Sequence, residues 1–271
     1  MTLQNPIQIS DPQKWHLLLE VRAGELCGLA YSIYEGKGMA LERIPLRSDS
    51  LVALEDAVYD HPWLLSDFKR VTVLFDSPRL MAVPAMIEPG SEMWVSSFRS
   101  LFSDSVGGEI LCSPVEPMKL NLAYEVPSDI LGFLRRSFHN ASFRHILAPL
   151  CIYFQQKHPG GGRGKMLVSF DGPRMDLLVL GSGGAPLALR SFHFREPLDA
   201  VYYIMGVRQA LGLPDHEEIM IGGDAAMRAS VTPVLREYVR YVMPAIFPGA
   251  MLRVGREALR APFGLVLSPL T

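Results

Sequence analysis

The stretch Lys165-Met166-Leu167-Val168-Ser169-Phe170-Asp171-Gly172-Pro173-Arg174-Met175-Asp176-Leu177-Leu178-Val179-Leu180 holds two apolar runs around a tight turn. Residues 165–170 and 175–180 read as paired strands. Gly181-Ser182-Gly183-Gly184 turns the chain again into a third strand, Pro186 to Phe194. Pro197 then falls in a first helical turn, where its missing N–H has no partner to lose. Leu198, Val201, Tyr202, Met205, Val207 and Leu211 follow broadly at helical spacing, and Gly212 stops the helix. Glu218 to Ile221 is a short run with the character of a buried strand. The order is strand, strand, strand, helix, strand.

The same order occurs near the start of the chain. Trp15 to Val21 and Leu26 to Tyr34 are strand-like around the turn Ala23-Gly24-Glu25, and Met39 to Leu46 follows a second turn. Ser50 can cap a helix with Leu51, Leu54 and Val58 on one face, and Val71 to Phe75 is a compact apolar strand. The architecture is thus repeated although the residues are not. A meander feeding a helix and then a buried parallel strand predicts a mixed sheet with helices packed on it. Two such lobes are expected to leave a cleft between them.

The remaining segments are connectors and elaborations. Ser91 to Phe102 reads as helical, and Ile110 to Pro114 and Lys119 to Tyr124 as strands. Ser128 is expected to cap a helix over Asp129 to Phe138, and Asn140 another that reaches toward His158. Pro159-Gly160-Gly161-Gly162-Arg163-Gly164 is the clearest linker. This divides the chain into a tail (1–14), a first lobe with connecting helices (15–160) and a second lobe (161–271). In the second lobe Thr232-Pro233 is expected to open a helix over Val234 to Val242, and Phe263 to Leu267 to form a last strand.

Composition excludes several classes of function. The chain has 271 residues, of which 49% are hydrophobic and 20% charged, enough to bury a core and too apolar for disorder. Lys and Arg total 26 against 28 Asp and Glu, a net charge of −2. That balance gives no global pull on nucleic acid. No window offers the roughly 18–20 uninterrupted apolar residues of a membrane span. Cys27, Cys112 and Cys151 are odd in number and far apart, which fits buried thiols in a reducing, cytoplasmic setting better than disulfides or a zinc site.

Motif searches are mostly negative. Gly164-Lys165 lacks the earlier glycine and the following hydroxyl of a phosphate loop, since Pro159 and Met166 stand there, and a strand follows. The seven histidines make no metal-ligand spacing, and no Gly-x-Ser-x-Gly occurs. Asp49, Glu55, Asp56 and Asp60 read as a solvated helix face, and Tyr202-Tyr203 as core packing. Two places keep functional promise: the hairpin Val168 to Asp176, and Gly222-Gly223 between a strand and a helix, where a ligand can approach backbone N–H groups.

The duplicated order resembles the actin-like ATPase superfamily, an α/β fold of two ribonuclease-H-like lobes, and in particular the actin-like proteins of pilus assembly and cell division. The stretch Ser191 to Phe194 through Pro197, Tyr202-Tyr203 and Leu211 to Leu213, then Ile219 to Gly223, is similar to an uncharacterised bacterial family with this fold.

That resemblance implies a nucleotide cleft with candidate residues Glu20, Arg22, Ser169, Asp171, Asp176, Gly222 and Gly223. In the first phosphate hairpin Glu20 stands for the acid that holds metal-bound water, Arg22 for a glycine and Cys27 for a polar residue. In the second, Ser169 stands where a carboxylate leads, and Asp171 and Pro173 replace glycines. Ile221-Gly222-Gly223 keeps the adenosine motif best.

The superfamily's chemistry needs Mg²⁺ and an oriented water. The expectation is therefore a non-catalytic scaffold or binding protein with degenerate phosphate hairpins, no resident cofactor and a protein partner. The alternative is a nucleotide-binding switch or weak ATPase that takes ATP with Mg²⁺. A nuclease on this frame would need several converging carboxylates, and Glu20 alone ends the first strand. Arg22 and Asp171 are expected either to pair across the two hairpins or each to face water.

Overall fold

The computed structural model describes residues 7–32, 38–104, 107–157, 164–214 and 217–271. The linker at 159–163 and the lobe boundary at 160/161 lie outside the described residues. By contact the chain divides into two units. One holds Met1–Pro114, Lys119–Ala148 and Gly249–Ala261; the other holds Val115–Met118, Pro149–Pro248 and Pro262–Thr271.

The first unit is built on β1 (Trp15–Arg22), β2 (Glu25–Ser32), β3 (Met39–Pro45), α1 (Leu51–Tyr59) and β4 (Arg70–Phe75). Apolar residues of both faces bury these strands, and Leu17, Leu19, Leu26, Val73 and Leu74 are nearly or wholly inaccessible. Ser50 caps α1 by accepting the Ala53 N–H at 3.3 Å. An elaboration follows: β5 (Leu80–Pro84), α2 (Glu92–Leu101), β6 (Glu109–Val115) and β7 (Leu120–Val126). These strands form a separate sheet in the order β5-β7-β6, with Trp94 and Phe98 of α2 packed on it. Then come α3 (Ser128–Ser137), β8 (Ser142–His145) and α4 (Leu147–Lys157). The main sheet has the order β3-β2-β1-β4-β8; β1 is antiparallel to β2 and parallel to β4, and β4 is parallel to β8.

The second unit repeats this plan with β9 (Lys165–Asp171), β10 (Arg174–Leu180), β11 (Pro186–His193), α5 (Pro197–Ala210), β12 (Glu218–Gly223), α6 (Ala225–Tyr238) and β13 (Val242–Pro244). Its sheet order is β11-β10-β9-β12-β13, with the same strand senses at the corresponding places. α5 and α6 cover one face through Val201, Ile204, Val231 and Leu235. The chain closes with α7 (Gly249–Val254) and α8 (Phe263–Leu267).

Five expectations are corrected. Ser128 is the first residue of α3 and not its cap; Pro127 precedes the helix, and no side chain caps it. Asn140 takes a left-handed φ of 55° and leads into β8, not a helix. α6 begins at Ala225, capped by Asp224 accepting the Met227 N–H at 2.8 Å, and Pro233 lies inside it. Residues 263–267 are helical. Tyr203 stacks on Phe192 with centroids 4.8 Å apart, but Tyr202 is 74% exposed and takes no part in the core.

Candidate functional site: the two strand hairpins

The β1–β2 hairpin turns at Ala23-Gly24, with Gly24 at φ 73°. The Gly24 N–H donates to Asp49 Oδ1 at 2.8 Å, so Asp49 braces the turn and is not simply part of a solvated helix face. Glu20 lies two residues before the end of β1 with its side chain fully buried, opposite Cys27 on β2 and Leu74 on β4. A buried carboxylate needs a counter-charge. Arg22 Nη1 stands 3.7 Å from Glu20 Oε1, and the other end of the guanidinium donates to Glu25. Glu25 also pairs with Arg43 at 3.1 Å. Arg22 thus carries a charge held by the hairpin's own acids.

Beside this hairpin, and wholly within the first unit, lies a cavity of about 260 Å³. Its walls are largely apolar, with Leu46, Leu54, Phe75, Pro78, Val126 and Ile130; Arg22, Asp49, Asp76, Ser77, Arg79 and Glu125 supply polar groups. Glu125 is buried, accepts the Gly108 N–H at 2.9 Å and pairs with Arg79 at 3.2 Å. Ser77 Oγ donates to the Glu125 carbonyl at 2.7 Å. His145, also buried, donates from Nε2 to the Ser77 carbonyl at 3.1 Å and accepts the Leu147 N–H at Nδ1. Those partners assign the neutral Nε2–H tautomer and make His145 a brace for this loop. Sequence reading did not single out Arg79, Ser77 or Glu125. The one available signal was Asp76-Ser77-Pro78 directly after the buried strand β4.

In the second unit Gly172 opens the β9–β10 turn at φ 55°, followed by Pro173, as a two-residue hairpin with a glycine first allows. Ser169 and Asp176 are buried and directly opposite in register; Asp171 is half-buried. Arg174 Nη2 donates to Asp176 Oδ1 at 2.7 Å and to Ser191 Oγ at 3.1 Å, and Ser191 Oγ donates to Asp176 Oδ1 at 2.7 Å. Asp176 also acts on Cys151 of α4. Burial and this neighbouring charge push the Cys151 thiol up to about 12.

Gly222 and Gly223 have packing reasons to be glycine. A Cβ on Gly222 would stand 3.0 Å from a ring carbon of Phe263 and 3.2 Å from Ala245. Gly223 has φ 80°, and a Cβ there would fall 2.0 Å from the Phe170 carbonyl oxygen. Its own carbonyl accepts from Arg228 Nε at 3.0 Å. Neither requirement involves a ligand. Among the described residues no group of three His, Cys, Asp or Glu stands where it can hold a metal ion. No helix among them is long and apolar enough to cross a membrane.

Two sheets of one order and sense, each with helices on it, define the actin-like ATPase fold. A protein of that fold and unknown function from Bacteroides thetaiotaomicron VPI-5482 superposes with a TM-score of 0.75 at 16% identity, covering 96% of this chain and 99% of that one. PilM, in the PilM–PilN complex of type IV pilus biogenesis, superposes with a TM-score of 0.55 at 14% identity, covering 94% of this chain and 98% of that one. The chain itself belongs to the DUF3822 family, described as proteins of unknown function, which it matches over residues 5–242. No curated protein matches it.

Proposed function

We propose that this chain is a non-catalytic binding protein on an actin-like frame, one that works by holding a protein partner in the cytoplasm rather than by hydrolysing nucleotide. The observation that carries the reading is the state of Arg22. It occupies the hairpin position where the superfamily keeps a glycine, and its charge is already held by Glu20 and Glu25. An incoming phosphate would have to compete with two carboxylates, one of them fully buried.

The second hairpin supports the same reading. Its charged residues Arg174 and Asp176 bond to each other, and Ser169 offers no carboxylate for Mg²⁺. The donor set therefore suits ATP·Mg²⁺ poorly. PilM, a structural neighbour, was solved in complex with PilN; a partner-holding role on this frame is consistent with that likeness. The free cysteines, two of them buried, accord with a reducing compartment.

The test is a hydrolysis assay with ATP and Mg²⁺ on the wild-type chain and on Glu20→Ala. The reading expects no turnover above background in either. Turnover that disappears in Glu20→Ala would establish the weak-ATPase alternative.

A further inference from the structure

The strand ends farthest from the phosphate hairpin carry a second feature. Register places His16 of β1 between Tyr31 of β2 and Arg70 of β4, so the three side chains project from one face in a row. Two residues along, Thr72 pairs with Ser142, and their hydroxyls lie 3.0 Å apart. Two further along, Leu74 pairs with Arg144. The same sheet face thus presents Tyr31, His16, Arg70, two hydroxyls and Arg144.

His16 Nδ1 lies 2.9 Å from the Tyr31 hydroxyl, with the rings edge to face. That contact leaves Nε2 as the ring's remaining polar atom. Arg70 is exposed, and among the described residues it has no ion-pair partner. Its charge is felt by its neighbours. Burial first, then Arg70 and Lys69, hold His16 below the ordinary imidazole range. Burial lowers Arg144 as well; Tyr124 opposes this, and Arg70 adds to the lowering as the smallest of the three causes. A neighbouring cation disfavours the imidazolium, and a bound anion acts on the ring with the opposite sign.

We propose that the end of this face is an oxyanion site that takes a phosphate group, with the Arg70 guanidinium as its principal ligand and Lys69 and His16 Nε2 beside it. A guanidinium fork matches two phosphate oxygens, and a phosphate dianion offsets more than one cation. The site lies on the first unit alone and does not depend on the reading of the phosphate hairpins. Free phosphate and a phosphomonoester share the required chemistry.

The test follows the His16 ring signal by NMR, assigned with His16→Asn, while inorganic phosphate or phosphoserine is added at constant ionic strength against chloride. Tyr31, Arg70 and Lys69 are the titratable and charged groups acting on that ring. The site predicts a saturable shift and a rise in the His16 pKa, both weakened more than tenfold in Arg70→Ala and partly restored in Arg70→Lys. Saturation by both probes assigns the site to any phosphate group; saturation by phosphoserine alone assigns it to a phosphorylated molecule. No saturable shift with either, an equal response to chloride, or unchanged binding in Arg70→Ala overturns the proposal. Arg70 is exposed, so its variants leave the fold intact as a control.

Discussion

Arg174 and Asp176 are two residues apart on one strand, project from the same face, and meet at 2.7 Å in the interior of the second unit. Ser191, across the strand from Asp176, closes the cluster.

Removing one partner of that pair should be costly. Arg174→Ala or Asp176→Ala leaves a buried charge uncompensated, which amounts to about 3–5 kcal/mol for a buried pair. A double variant, Arg174→Met with Asp176→Leu, should lose less than either single change, because no charge is stranded. Urea unfolding of the three proteins measures this; equal losses in singles and double would contradict it.

Arg22 should behave in the same way toward Glu20. Arg22→Ala is expected to cost at least about 2 kcal/mol, since Glu20 is fully inaccessible. Adding Glu20→Gln removes the stranded charge and should recover part of the loss. A second change that deepens the loss additively would place the stabilising contact elsewhere.

Gly222 and Gly223 should prove structural. Gly223→Ala drives a Cβ into the Phe170 backbone and should abolish soluble expression. Gly222→Ala asks Phe263 to shift by a few tenths of an ångström and should cost about 1–3 kcal/mol. Gly24→Ala meets nothing within 4 Å and should cost only the about 1–2 kcal/mol of its left-handed backbone. Thermal melts rank the three.

Thiol titration at mildly alkaline pH checks the interior. Cys151 is raised to about 12 by burial and Asp176, and burial raises the half-exposed Cys112 as well. The folded chain should therefore react slowly at Cys112 and not at Cys151, and all three cysteines should react after denaturation. Above the ordinary thiol range the unfolded chain loses a proton that folded Cys151 keeps. Stability should thus fall as pH rises from about 9 toward 12, by at most about 1.4 kcal/mol per unit from this group. Cys151→Ala should remove that slope.

The repeated meander was legible because its strands are long, apolar and bounded by turn residues, as in residues 165–180. What failed to show had physical causes. β8 is four residues, Ser-Phe-Arg-His, held by its neighbour β4 rather than by any propensity of its own. Phe263–Leu267 is a short apolar run whose periodicity cannot separate a strand from a buried helix. Pro233 suggested a helix start because an interior proline costs about 3 kcal/mol, yet tertiary packing of Val231 and Leu235 carries α6 through it. At the site, both hairpins were legible from their turns. The partners of Glu20, Arg22 and Asp176, and the cavity around Glu125, depend on register and on contacts distant in sequence.

The hairpins, with their charges already paired, are expected not to hold ATP·Mg²⁺. The most direct measurement is the melting temperature of the Arg70→Ala chain titrated with ATP and Mg²⁺; that background removes any phosphate held on the sheet face. No saturable change is expected through millimolar ATP. A saturable rise approaching about 2.7 kcal/mol at a hundredfold excess over Kd, lost in Glu20→Ala, would contradict it.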